Sequence, residues 1–292
     1  MPGRNRLAPL GRDSDDATVP SVPRDVLDYY ESGRELDRLN DGNLAGPLEF
    51  ERTIELLLRY LPAGALKVLD VGGGPGVYAS WLSKRGHSVR LVDPVRRHVE
   101  AARALDLDAQ VGEAASLDHP DSSVDAVLLM GPLYHLVEER DRLQALREAW
   151  RVLRPGGVLL ATAISRFAAL LDQLVHLDRF HEPAEMERIE TIVRSGVLPA
   201  REGGVFATSF MHLPRQLRQE VSTAGFTGVD VVSIEGPGYR VSNFDERWAD
   251  DARRAALVGA ARLVEHDPEL VALGGHLMAV GHRTTERAAT DG

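Results

Sequence analysis

The chain has 292 residues, 43% of them apolar and 27% charged, with a formal net charge of −10 and no cysteine. Such proportions describe folded globular material sufficient for one large α/β domain with insertions. The acidic balance argues against nucleic acid as the main partner, because that binding sets Lys and Arg against phosphates, and the missing cysteine excludes disulfides and thiolate catalysis.

Residues 1–22 are rich in Pro, Gly, Asp and Arg without periodicity and are expected to form a tail, as are residues 285–292. No apolar core follows Arg4 and Arg6, and no run reaches the ~18 apolar residues of a membrane span, so a cytoplasmic protein without membrane contact is expected. From Asp25 to Leu61 apolar residues recur at helical spacing, notably in "LEFERTIELLLRYL", and Pro62 and Gly64 end the run. The rhythm then shifts to short strands: "KVLDV" (67–71), "SVRLVD" (88–93), "DAQV" (108–111), "DAVLLM" (125–130) and "GVLLATAI" (157–164). Amphipathic helices separate them, including "PVRRHVEAARAL", where Arg96-Arg97-His98 is either a local basic patch or, for its two arginines, a solvated helix face, and "RDRLQALREAWRVLRPGG", stopped at Pro155. Strands alternating with helices imply βαβ units and a parallel sheet.

Residues 165–211 break the alternation with helical material, read as a lid over the strand ends or as a helical pair extending the core. A helix from Pro214 to Ala224, the strand "GVDVVSI", further helix near 245–265 and the strand "HLMAVGHR" (276–283) complete the chain. The whole reads as a doubly wound α/β fold with a seven-stranded, mostly parallel sheet and helical lid insertions, its core at 65–164 and the second half of its sheet at 212–284.

The chemistry is concentrated in "LDVGGGPG" (69–76), where glycine at 72, 73, 74 and 76 directly follows a strand. Glycine there lets the backbone approach a ligand, while the next helix offers free N–H groups. "GPGVYA" fits the dinucleotide fingerprint, but it begins at Gly74 although the strand ends at Val71, and the fingerprint wants its first glycine immediately after the strand.

Read from the strand end, with Asp70 ahead of the glycines, "VLDVGGGPG" resembles motif I of the class I S-adenosylmethionine-dependent methyltransferases, which are Rossmann-like. Further segments carry the same resemblance: "LVDP" with Asp93, "VGEAASL", "DAVLLMGPLYHL" and "EAWRVLRPGGVLLAT", together with a late strand matching the family's antiparallel strand 7. The resemblance implies S-adenosyl-L-methionine as cofactor, held by Asp70, Gly72, Gly73, Gly74, Gly76 and Met130. It further implies Asp93 on both ribose hydroxyls, with Pro94, Ala114 and Glu113 at the adenine; Glu113 stands where aspartate is commoner. In similar proteins a leading helix folds over the cofactor, which gives residues 23–64 that task and makes Tyr30 a contact, with Tyr29 and Arg38 nearby.

For an O or N acceptor a histidine is the natural base. His135, just past strand 4, is the first candidate, with pocket shaping as its other reading, and His212 is the second. Tyr134 either closes over the cofactor or packs in the core, and His176 and His181 read as lid or surface residues. No metal is expected: Met130 and Gly131 stand where metal-dependent members place a carboxylate, and no H-x-x-x-H occurs. The expected partner is a small-molecule methyl acceptor. A peptide or protein acceptor, an NAD-dependent oxidoreductase and a non-catalytic binding protein are the alternatives.

Overall fold

The computed structural model describes residues 22–31, 46–200 and 207–284. Nearly all of both expected tails, Arg38 and part of the glycine-rich link after residue 200 lie outside the described residues.

The helices are α1 (Arg24–Glu31), α2 (Gly46–Tyr60), α3 (Val77–Ser83), α4 (Arg96–Arg103), α5 (Pro132–His135), α6 (Glu139–Val152), α7 (Ala168–Asp172), α8 (Pro183–Ser195), α9 (Pro214–Thr223), α10 (Phe244–Ala249) and α11 (Asp251–Val264). The strands are β1 (Lys67–Val71), β2 (Ser88–Asp93), β3 (Asp108–Val111), β4 (Val124–Met130), β5 (Leu153–Ser165), β6 (Val197–Leu198), β7 (Ser209–His212), β8 (Thr227–Ser233) and β9 (His276–His282). In the main sheet β3, β2, β1, β4 and β5 run parallel, and β9 lies antiparallel between β5 and β8. This is the expected arrangement of seven strands.

Strand alternation explains why helices cover both faces. Leu69 and Val71 of β1, Val127 and Leu129 of β4, and Leu159 and Ala161 of β5 share one core cluster with Leu146 and Ala149 of α6 and Leu217 and Val221 of α9. Their neighbours Val68, Ala126, Leu128, Val158 and Leu160 face the opposite cluster, beneath Leu56 and Leu57 of α2 and Leu82 of α3. A sheet buried on both sides needs such nearly continuous apolar strands.

Two expectations change. The helix before Pro155 ends at Val152, and the chain enters β5 at Leu153, where the pairing register with β4 shifts between Val124 and Ala126. Gly156 takes a φ of 83° and donates its N–H to the Arg283 carbonyl at 2.7 Å, so "RPGG" forms an excursion within the strand instead of a helix stop. The 165–211 insertion, expected to be helical, also contains β6 and β7. Ile164 pairs with His276 along one edge of β5 and with Met211 along the other, so β7 sits beyond the end of β4.

Candidate functional site

At the C-terminal ends of β1, β2 and β4 lies a cavity of about 1150 Å³, counting its open mouth. Open α/β sheets place ligands at this edge. The turn after β1 forms one wall. Gly72 has a φ of 70°, and a Cβ there would stand 2.6 Å from Cδ of Pro132, the first residue of α5. A Cβ on Gly73 would stand 2.7 Å from Oδ2 of Asp70. Glycine therefore lets the turn lie against both α5 and a buried carboxylate.

Asp70 is fully buried, and neither of its oxygens has a hydrogen-bond partner among the described residues. Burial, reinforced by the charge of Asp93, pushes its carboxyl up to about 7. Asp93, at the end of β2, is tied on both oxygens. Oδ2 accepts from Gly74 N–H at 2.8 Å, while Oδ1 accepts from Val95 N–H at 2.9 Å and lies 3.1 Å from Nδ1 of His98.

The helix α1 closes the cavity through Val26 and Tyr30. It is docked by Thr208 N–H donating to Asp25 Oδ2 at 3.0 Å and by Arg97 Nη1 donating to the Glu31 carbonyl at 3.0 Å. The hydroxyl of Tyr30 lies 2.5 Å from Nε2 of His135, and the rings meet edge to face at 5.2 Å. Burial holds the His135 imidazole down at about 4, and its Nδ1 has no partner among the described residues. The ring is therefore neutral at ordinary pH and carries a lone pair.

The structure brings Tyr30, Asp70, Gly72, Gly73, Gly74, Asp93, Pro94, Ala114, Met130 and His135 to the cavity wall, and Tyr134 lines it as well. Three expected residues are absent from that wall. Gly76 is the N-cap residue just before α3, where a Cβ would stand 2.6 Å from Leu107 Cδ1, so it serves helix packing. Glu113 bridges to Ser116, leaving Gly112, Ala114 and Ala115 to face the cavity. His212 is completely buried, with Nε2 3.2 Å from Glu220 Oε2.

His212 belongs to a buried ionic cluster. Arg142 grips Glu220 through Nε and Nη2, at 3.0 and 2.7 Å, and donates from Nη1 to the carbonyls of Leu136 and Val137 at 3.0 and 2.6 Å. The cluster thus anchors the segment that follows His135. Among the described residues, none of the 165–211 insertion lines the cavity, whereas Val26 and Tyr30 of α1 do.

Sequence reasoning missed two groupings. His98, noted in the sequence only within the Arg96-Arg97-His98 patch, is buried on the cavity wall. Its signal was its place with Val99 and Ala102 on one stripe of α4, all three buried while Arg96 and Arg97 are exposed. Glu49, Glu235 and His276 bring ligand-type atoms within 4.8 Å of one another, away from the cavity, with His276 Nδ1 already 2.6 Å from Glu235 Oε1. Residues so far apart in the chain leave no spacing pattern to read.

Residues 69–161 match the family described as a methyltransferase domain. An uncharacterized methyltransferase of Mycobacterium tuberculosis is 42% identical over 101 residues, which are 34% of this chain and 40% of that protein. Methyltransferase GfsG of Streptomyces halstedii is 32% identical over 169 residues, covering 50% of this chain and 60% of the relative. The chain therefore spans roughly half the length of these curated relatives. The crystal structure of a SAM-dependent methyltransferase, possible histamine N-methyltransferase, from Thermotoga maritima aligns with a TM-score of 0.54 and 17% identity, over 89% of this chain and 99% of that one. At that identity the likeness is one of fold.

Proposed function

From a chain whose residues 69–161 form a methyltransferase domain on the class I S-adenosylmethionine-dependent fold, we propose that the protein transfers a methyl group from S-adenosyl-L-methionine to an O or N atom of a small molecule. The carrying observation is one cavity joining an unpartnered buried carboxylate, Asp70, to the Asp93 carboxylate and the open glycine turn, with His135 on the same wall. A ligand carrying ammonium and sulfonium charges suits two acidic groups in a shielded site. When bound, the cofactor supplies an already activated methyl group.

The chain's own residues provide position and proton handling. Asp70 offers its unpartnered carboxylate to the ligand's cationic end, and Asp93 accepts from the nucleoside. His135 takes the acceptor's proton at Nε2 once the acceptor has displaced the Tyr30 hydroxyl from that lone pair; positioned bases of this kind contribute about 10²- to 10⁴-fold. The α1 residues Val26 and Tyr30 narrow the site, which favours a small acceptor over a long peptide in an open groove. The formal charge of −10 supports the same choice against a nucleic-acid acceptor.

Calorimetry with S-adenosylmethionine, S-adenosylhomocysteine and NAD tests the reading. The first two are expected to bind and NAD is not. Binding of NAD alone would transfer the site to the oxidoreductase alternative, and radiolabelled methyl transfer across small-molecule and peptide panels then separates the acceptor classes.

A further inference from the structure

We infer that His98 is a nucleoside-reading residue, whose Nε2 accepts a hydrogen bond from an O–H or N–H donor of the bound cofactor. The inference rests on the reading of the cavity as an S-adenosyl site. It assigns to His98 a contact that Asp93 has no capacity left to make.

Counting lone pairs leads to this assignment. A carboxylate offers about four acceptor sites. In Asp93 three are used: Gly74 N–H on Oδ2, and Val95 N–H and the His98 ring on Oδ1. One site remains, on Oδ2, whereas a ribose presents two hydroxyls and an adenine adds an amino group. Asp93 can therefore satisfy one of these donors while its present bonds stand. A second donor, buried against the cavity wall without an acceptor, would cost about 1–3 kcal/mol.

His98 has the matching vacancy in its hydrogen bonding. Its side chain is 3% exposed and lines the cavity, and Nε2 has no partner among the described residues. An ionised carboxylate only accepts, so the contact at 3.1 Å from Asp93 Oδ1 places a proton on Nδ1, and the neutral form of the ring then carries its lone pair on Nε2. The ring is fixed in that pose by Asp93 on one side and by the edge-to-face Tyr30 ring at 5.4 Å. Fixing the tautomer makes the residue selective: it rewards a donor and rejects a lone pair. Asp93 and His98 then act as one unit with two acceptors, coupled through the Nδ1 hydrogen bond.

The donor is either the second ribose hydroxyl or the adenine amino group, and the test separates them. Calorimetry would compare S-adenosylhomocysteine with its 2′-deoxy and 3′-deoxy analogues and with S-inosylhomocysteine, on the wild type, His98→Phe and His98→Gln. The wild type should sense two separate donors, each costing roughly tenfold when removed, equivalent to about 1.4 kcal/mol. In His98→Phe, S-adenosylhomocysteine weakens about tenfold, and one analogue loses its additional penalty; that analogue names the donor. His98→Gln, which retains a distal acceptor, recovers part of the loss. Two results overturn the assignment while leaving the cofactor reading intact: unchanged affinity in His98→Phe, or an identical analogue ranking in both proteins. Should the variants not fold, a wild-type profile with a single sensitive donor overturns it as well. Failure of S-adenosylhomocysteine to bind the wild type instead removes the cofactor reading, and this inference with it.

Discussion

Asp70→Asn should make the ligand-free protein more stable, and increasingly so as the pH rises. In the folded chain burial and Asp93 lift the Asp70 carboxyl from its ordinary 3.8 to about 7. Between those values the native state holds a proton that the unfolded chain has released, so stability falls as the pH climbs from about 4 to about 7 and then levels off. Three pH units correspond to about 4 kcal/mol at most, of which somewhat over 1 is already lost at pH 5. Asparagine removes the charge while keeping the shape. Urea unfolding of both proteins at pH 5 and pH 8 should therefore show the variant's advantage widening by about 2–3 kcal/mol. S-adenosylmethionine should reverse the order, because its positive charges compensate the carboxylate and not the amide, and wild-type affinity should rise with pH through about 7. An advantage that is constant with pH, or a variant less stable at pH 8, would refute the claim that Asp70 is an uncompensated buried charge.

Three other outcomes are expected. Asp93→Ala weakens S-adenosylhomocysteine by tenfold or more in calorimetry, about 1.4 kcal/mol, since the substitution also releases Gly74, Val95 and His98; unchanged affinity would exclude Asp93 from the site. His135→Ala lowers kcat by about 10²- to 10⁴-fold. Because burial holds His135 at about 4, the wild-type rate retains its His135 contribution down to that pH and loses it below; an acid limb near the ordinary histidine value of 6.5 would count against it. Arg142→Ala leaves Glu220 buried beside His212 without its bidentate partner and should cost about 3–5 kcal/mol in denaturant titration; a loss below 1 kcal/mol would show that the cluster does not anchor the segment after His135.

The sheet was legible because its information is local. "KVLDV" and "SVRLVD" carry enough β-branched and apolar residues to read as strands wherever they stand, and both ends of each match the structure. The glycine turn was legible because a strand end fixes where the next residues project, and Asp93 was picked out by the resemblance that "LVDP" carries. Residues whose role depends on partners distant in the chain were not. His212 looked like a base beside a helix start, yet Glu220 and Arg142 enclose it in the core. Glu113 lies in the right segment, but the short bridge to Ser116 leaves its neighbours facing the cavity. The cover over the site was expected both from the leading helices at 23–64 and from the long insertion; the eight-residue α1 lines the cavity, and among the described residues the insertion does not.

That small helix links ligand occupancy to chain folding. A helix of two turns does not persist alone in water, and α1 is held by the burial of Val26 and by the hydrogen bonds to Thr208 and Arg97. Its free energy of undocking is consequently low on the scale of the whole molecule. Anything that binds beneath it and touches Tyr30 adds to its folding free energy, so the amides of α1 should report occupancy through slowed hydrogen exchange while those of β4 stay unchanged. Raising helix propensity at exposed positions of α1 should then tighten binding of such a ligand, far from any reacting atom.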